Sequence, residues 1–237
     1  MLNYDWCTSL LLDAIADYPV VIRGKLDRGQ LADVAASYEG LAKSYVDLGL
    51  FKWRHGEEPV AEFEAGYNTL IEMETFLARD TTGYKKSGPQ WDLFARAFSL
   101  IGGAVDIPPI SAEEIEEDEA PQLVAYGHCL SLALQDQMPN DWQIVQRWLG
   151  SGPRLVDRSY ATYFMLLGLL PGGSEDSDAL VVRAERNWIK RKTDRYFAPL
   201  PVHEGYGDYN EAYPDVTLAA VLKKIDWTGK SIHRWNW

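Results

Sequence analysis

Cysteine is nearly absent from this chain: Cys7 and Cys129 are the only two among 237 residues. Two thiols so far apart in sequence exclude a disulfide scaffold and a C-x-x-C metal or redox motif, and point to a reduced, intracellular protein. Histidine is equally sparse, at four residues, His55, His128, His203 and His233. Long apolar runs are missing too. The strongest candidate, around Phe164 to Leu170, ends at Pro171-Gly172-Gly173, well short of the roughly 18 residues that span a bilayer. The opening segment lacks the basic start of a secretory signal, and Asp13 interrupts Leu10-Leu11-Leu12. The expected location is therefore the cytoplasm.

Positive charge is also in short supply. There are 35 Asp and Glu against 23 Lys and Arg, a formal charge of −12. Such a surface repels nucleic acid and anionic lipid, so neither is expected as a partner. Apolar residues at 46% and aromatics at 12% supply a substantial core and exclude a disordered chain.

What is present is helical periodicity. Leu31, Val34, Ala35, Tyr38, Leu41, Ala42, Tyr45 and Leu48 repeat at three-four spacing along one face, and His55-Gly56 ends the segment. A second stripe holds Phe63, Tyr67, Leu70 and Leu77. The spacing predicts helices over 31–54 and 58–80 in an antiparallel hairpin, with Tyr38 and Tyr45 facing Phe63 and Tyr67 and the stripes buried against each other or a third helix. Further helices are expected near 89–101, 121–135, 139–149, 157–170, 176–197 and 212–225. Tyr18-Pro19-Val20-Val21-Ile22 is the one β-type run. The expected fold is all-α, antiparallel helix pairs packed into a compact or short superhelical bundle. The composition shift between Gly102 and Pro121 leaves two organisations open: one domain over 1–237, or two helical halves, 1–105 and 120–237, joined by an acidic linker.

Chemical motifs are few. Adjacent helical residues such as His128 and Cys129 point about 100° apart, so they do not form a nucleophile–base pair. His203-Glu204-Gly205-Tyr206-Gly207 lacks the second histidine of a zinc-protease helix, and Gly102-Gly103 and Gly172-Gly173 lack phosphate-loop spacing. No catalytic residue, metal ligand or cofactor is assigned. The basic residues Arg183, Arg186, Lys190, Arg191, Lys192 and Arg195 share one helix with Ala184, Trp188 and Ile189, and read as its solvated side, paired with nearby acids. Trp142, Trp148 and Trp188 read as core.

Two acidic clusters are candidate partner surfaces. Glu113, Glu114, Glu116, Glu117, Asp118 and Glu119 form a dense run. Ser111 capping and the helix dipole explain one or two of these acids. All six together favour a basic partner and a solvated helix start about equally. In the second cluster Glu204, Asp208 and Glu211 are interleaved with Tyr206 and Tyr209 around Gly205 and Gly207. Tyrosine gives contact area at low entropic cost while carboxylates select cations, although a structural loop whose tyrosines pack on neighbouring helices is the slightly favoured reading of the same residues.

Two stretches resemble the PoNi-like helical immunity proteins that neutralise PoNe-type DNase effectors of interbacterial antagonism. One runs from Tyr38-Glu39-Gly40-Leu41 through Tyr45 and Gly56 to the helix from Val60 to Leu77. The other joins Trp188, the segment Gly205-Tyr206-Gly207-Asp208-Tyr209, Glu211-Ala212 and the helix Leu218 to Asp226. The resemblance covers less than half of the chain. It implies an all-α, non-enzymatic inhibitor of a cognate toxin, a basic nuclease delivered by type VI secretion. The charge allows two other readings: a helical scaffold or adaptor for an unrelated basic partner, and an enzyme with an unrecognised site.

Overall fold

The structure, a computed structural model, describes residues 4–79, 91–111, 115–116, 121–137, 142–151, 155–171, 176–193 and 216–229. Among these the secondary structure is helical, with no strand: α1 (Tyr4–Asp27), α2 (Leu31–Arg54), α3 (Val60–Arg79), α4 (Trp91–Leu100), α5 (Pro121–Leu134), α6 (Trp142–Ser151), α7 (Leu155–Leu166), α8 (Ser177–Thr193) and α9 (Val216–Lys224). The all-α expectation holds.

The chain divides into two compact units between Ser87 and Gly88; the first holds α1–α3 and the second α4–α9. The division falls earlier than the acidic segment because that segment lies inside the second unit. There α4 packs on α5 from the other side of it. Val105 and Ile107 are buried, and the Val105 N–H donates to Gln135 Oε1 at 3.1 Å. Gln135 Nε2 in turn donates to Ser99 Oγ at 3.3 Å, tying the connection to both helices.

In the first unit α2 packs against both α1 and α3. Lys52 bridges to Glu62 at 2.6 Å, Gly49 faces Phe63, and Tyr38 faces Phe76 with ring centroids 6.3 Å apart. Partners recede from the turn in step, which is an antiparallel hairpin. Its register differs from the expected one. A tight connection pairs residues equally distant from the turn, so Tyr38 meets Phe76 rather than Phe63 or Tyr67, and the Phe63 ring lies over the bare Cα of Gly49.

The β-type run Tyr18–Ile22, which contains a proline, is no strand, as the all-α expectation requires. It lies inside α1, with Pro19 in the helix interior. Pro19 removes the N–H that would bond the Ile15 carbonyl, a cost that propensity alone does not offset. Packing overrides it: Ile15, Tyr18 and Ile22 recur at three-four spacing and meet Val34, Tyr38, Leu41 and Tyr45 of α2 in one cluster. Full burial of such a side chain is worth about 1.5–3 kcal/mol, most of which applies to Ile22 and part of it to the half-buried Ile15 and Tyr18.

One terminating device recurs. At the end of α2 the Glu57 N–H donates to Lys52 O at 3.0 Å and the Gly56 N–H to Trp53 O at 3.1 Å, with Gly56 at φ 78. These two bonds satisfy carbonyls the helix would leave orphaned, and the left-handed residue between them suits glycine. The ends of α5 and α9 use the same pair of bonds with Asp136 (φ 58) and Asp226 (φ 49) in that position.

In the second unit α9 is the central piece. Six consecutive residues, Thr217 to Leu222, are buried, and the helix packs against α4, α5 and α7. An aromatic cluster joins α5, α6 and α7. Tyr126 and Tyr160 lie 5.1 Å apart, and Trp142 meets Phe164 edge-on at 4.9 Å. Asp176 caps α8, accepting the Ala179 N–H at 2.8 Å.

Candidate functional site

The densest polar chemistry among the described residues lies inside the second unit, where α4, α5 and α9 meet. Asp92 stands in the first turn of α4 and is buried. Its Oδ1 accepts the Ser131 hydroxyl of α5 at 2.7 Å. Its Oδ2 lies against Gly127, one turn before Ser131, so closely that a Cβ there would overlap it. One turn along α4, Arg96 directs Nε to the Asp92 carbonyl at 2.9 Å and Nη1 to Thr217 Oγ1 of α9 at 3.0 Å. Burial pushes the Asp92 carboxyl up to about 6, against the opposing pull of the Arg96 charge and the Ser131 hydrogen bond. A second buried acid, Asp157 on α7, accepts the Tyr126 hydroxyl at 3.2 Å, and Glu185 on α8 is fully buried.

This arrangement joins helices. Ser131–Asp92 joins α5 to α4 and Arg96–Thr217 joins α4 to α9, so the network holds the three helices in register. Sequence reasoning missed it because an acid in a first helical turn reads as a solvated cap. The legible signal was Gly127 and Ser131, two small residues one turn apart on a largely buried helix, which mark a close approach.

Of the sequence-derived partner residues, Glu116 is described. It is exposed and follows the buried Ile115, whose N–H donates to the Ser111 carbonyl at 3.1 Å. Glu113, Glu114, Glu117, Asp118, Glu119, Glu204, Tyr206, Asp208, Tyr209 and Glu211 lie outside the described residues, as do His203 and His233. His55 is part of the α2 terminus, with Nδ1 2.8 Å from the Phe51 carbonyl oxygen and its ring 4.6 Å from the Phe51 ring. His128 is half-buried, and Cys7 and Cys129 are buried and not disulfide-bonded. On α8, Leu180, Val181 and Ala184 form the buried stripe, Arg186 is exposed, and Arg183 reaches Met165 Sδ of α7 at 3.0 Å.

Acids dominate the exposed surface of the first unit. Asp13 and Asp17 on α1, Glu57 and Glu58 in the turn, and Glu64 and Glu72 on α3 are exposed, against Arg23, Arg28 and Lys43. The outer side of α1 also exposes Val20 (72%), Leu12 (50%) and Trp6 (44%). Among the described residues no group of three or more His, Cys, Asp or Glu could hold a metal ion, and no helix is long and apolar enough to cross a membrane. Compared with protein-family models, characterised proteins and solved structures, the chain matches none.

Proposed function

We propose that this chain is a cytoplasmic immunity protein, a non-enzymatic inhibitor that captures a cognate secreted antibacterial toxin, a basic nuclease, on an acidic surface. The observation that carries this reading is a charge of −12 on an all-helical chain whose exposed acids outnumber its exposed bases in the first unit. A nuclease presents a positive cleft to hold phosphates. An acidic helical surface can occupy or cap that cleft, and opposite potentials accelerate the encounter. The resemblance to PoNi-like immunity proteins supports the same class of partner.

The test is binding kinetics against the purified toxin, with the product of the adjacent gene as the probe, at two salt concentrations. Charge reversal at Glu113, Glu114, Glu116 and Glu117 is expected to slow association and flatten its salt dependence, because steering is screened beyond about 8 Å at physiological ionic strength. Reversal at Asp208 and Glu211 is expected to speed dissociation, at a cost of about 2–5 kcal/mol for a desolvated charge pair. His128→Ala, Cys129→Ala and His203→Ala should leave inhibition intact. Unchanged on- and off-rates in both charge-reversal sets would remove the acidic surface from the mechanism. Loss of inhibition in a histidine or cysteine variant that still folds would argue for an enzyme.

A further inference from the structure

We propose that the joint between α4 and α5 is a proton-dependent latch, closed when Asp92 is a neutral carboxylic acid and loosened when it ionises. The argument is a count of hydrogens. Ser131 Oγ lies 2.7 Å from Asp92 Oδ1 and 2.8 Å from the Gly127 carbonyl oxygen. Both are hydrogen-bond distances to acceptors, yet a hydroxyl has one hydrogen. With Asp92 ionised, one of these contacts is an unbridged pair of oxygens in a buried site. With Asp92 protonated, its O–H donates to Ser131 Oγ and the Ser131 O–H donates to Gly127. Both contacts are then hydrogen bonds, and the buried site holds no anion.

The surroundings agree. The helices packed on α4 are α5 and α9. The ionisable side chains of α5 are Tyr126, His128 and Cys129, none of them on the Gly127–Ser131 line that meets Asp92. From α9 the network takes the neutral Thr217; Lys223 and Lys224 stand at the far end, where Lys224 pairs with Asp136 at 2.6 Å. Asp106, in the connection beyond α4, is exposed. Three groups favour the anion: the Arg96 charge, a hydrogen bond from Ser131 and the N-terminal dipole of α4. The Arg96 guanidinium is turned to the Asp92 carbonyl and to Thr217. Burial outweighs all three and raises the carboxyl from 3.8 to about 6.

The sign follows from linkage. Between these two values the folded chain keeps a proton that the unfolded chain has released, so stability falls as pH rises through about 6 and stays lower above it. The experiment is hydrogen–deuterium exchange of the full chain at about pH 5 and about pH 8, corrected for intrinsic chemistry. Between those conditions the opening equilibrium of α4 and α5 should rise about tenfold in the wild type. Asp92→Asn keeps a donor toward Ser131 and no charge, so its profile should be flat and match the wild type at the lower pH. Equal pH dependence in the variant and the wild type would overturn the latch. A carbon-13 titration of the wild-type aspartates decides the matter if the variant does not fold. A carboxyl with its midpoint near 6 supports the latch, and the absence of any aspartate titrating well above 3.8 overturns it.

Discussion

Replacing Gly127 with alanine sets two effects of opposite sign against each other. Gly127 lies in the interior of α5, where alanine is the better helix former by about 1 kcal/mol. Local propensity alone therefore forecasts a more stable protein. The packing forecasts the reverse. The new methyl would overlap Asp92 Oδ2, and both residues are buried. Forcing α4 and α5 apart costs about 1–3 kcal/mol as overpacking. If the carboxyl swings away instead, the buried Ser131–Asp92 hydrogen bond is lost, for about 1–3 kcal/mol. After subtracting the propensity gain, the expected net loss is about 0–2 kcal/mol. Equilibrium urea unfolding of the full chain reads it as a lower midpoint at unchanged slope. Gly24→Ala is the control: it too is inside a helix, but its nearest neighbour is the flexible Arg28 guanidinium at 3.4 Å. It should stabilise by about 0.5–1 kcal/mol. Adding Asp92→Ala to Gly127→Ala should recover part of the loss, as expected for directly coupled sites. The reasoning is refuted if Gly127→Ala and Gly24→Ala stabilise alike.

Two further perturbations probe the first unit. Lys52→Met removes the partner of a Glu62 carboxylate whose other oxygen, Oε2, has no hydrogen bond. Because the pair is only partly shielded, the expected loss is about 1 kcal/mol in urea unfolding, and a variant as stable as the wild type would show that the pair contributes nothing. Burial, and secondarily the charge of Glu72, raise the Tyr38 hydroxyl above 10.0. Glu72→Gln should bring its ionisation part of the way back, read as the ultraviolet difference between each protein and its Tyr38→Phe counterpart. An unchanged midpoint would exclude the Glu72 contribution. Since the folded chain keeps this proton longer, its stability contribution is lost as pH rises from 10.0 through the raised value.

The sequence by itself determined the helices of both units and many of their ends. Three-four periodicity is a local signal, and so are Gly56 after α2 and Asp176 before α8, because a helix terminus is closed by residues within a turn of it. Charge was legible too, since an acid favours water, and Glu57, Glu58 and Glu116 are exposed. Tertiary structure decided what depends on a partner distant in sequence. Pro19 and its β-branched neighbours read locally as a strand, and only the α2 face that Ile15, Tyr18 and Ile22 cover makes a helix the lower-energy state. Hairpin register followed from the distance of each residue to the turn, which a hydrophobic stripe does not encode. The division of the chain fell at Ser87–Gly88 because Val105 and Ile107 bury themselves in the second unit, although their surroundings in sequence are acidic. Asp92 shows the limit most clearly. Nothing within a turn of it distinguishes a solvated cap from a buried acid; Gly127 and Ser131, brought to it by the packing of α5, withdraw it from water and give it a reason to hold a proton.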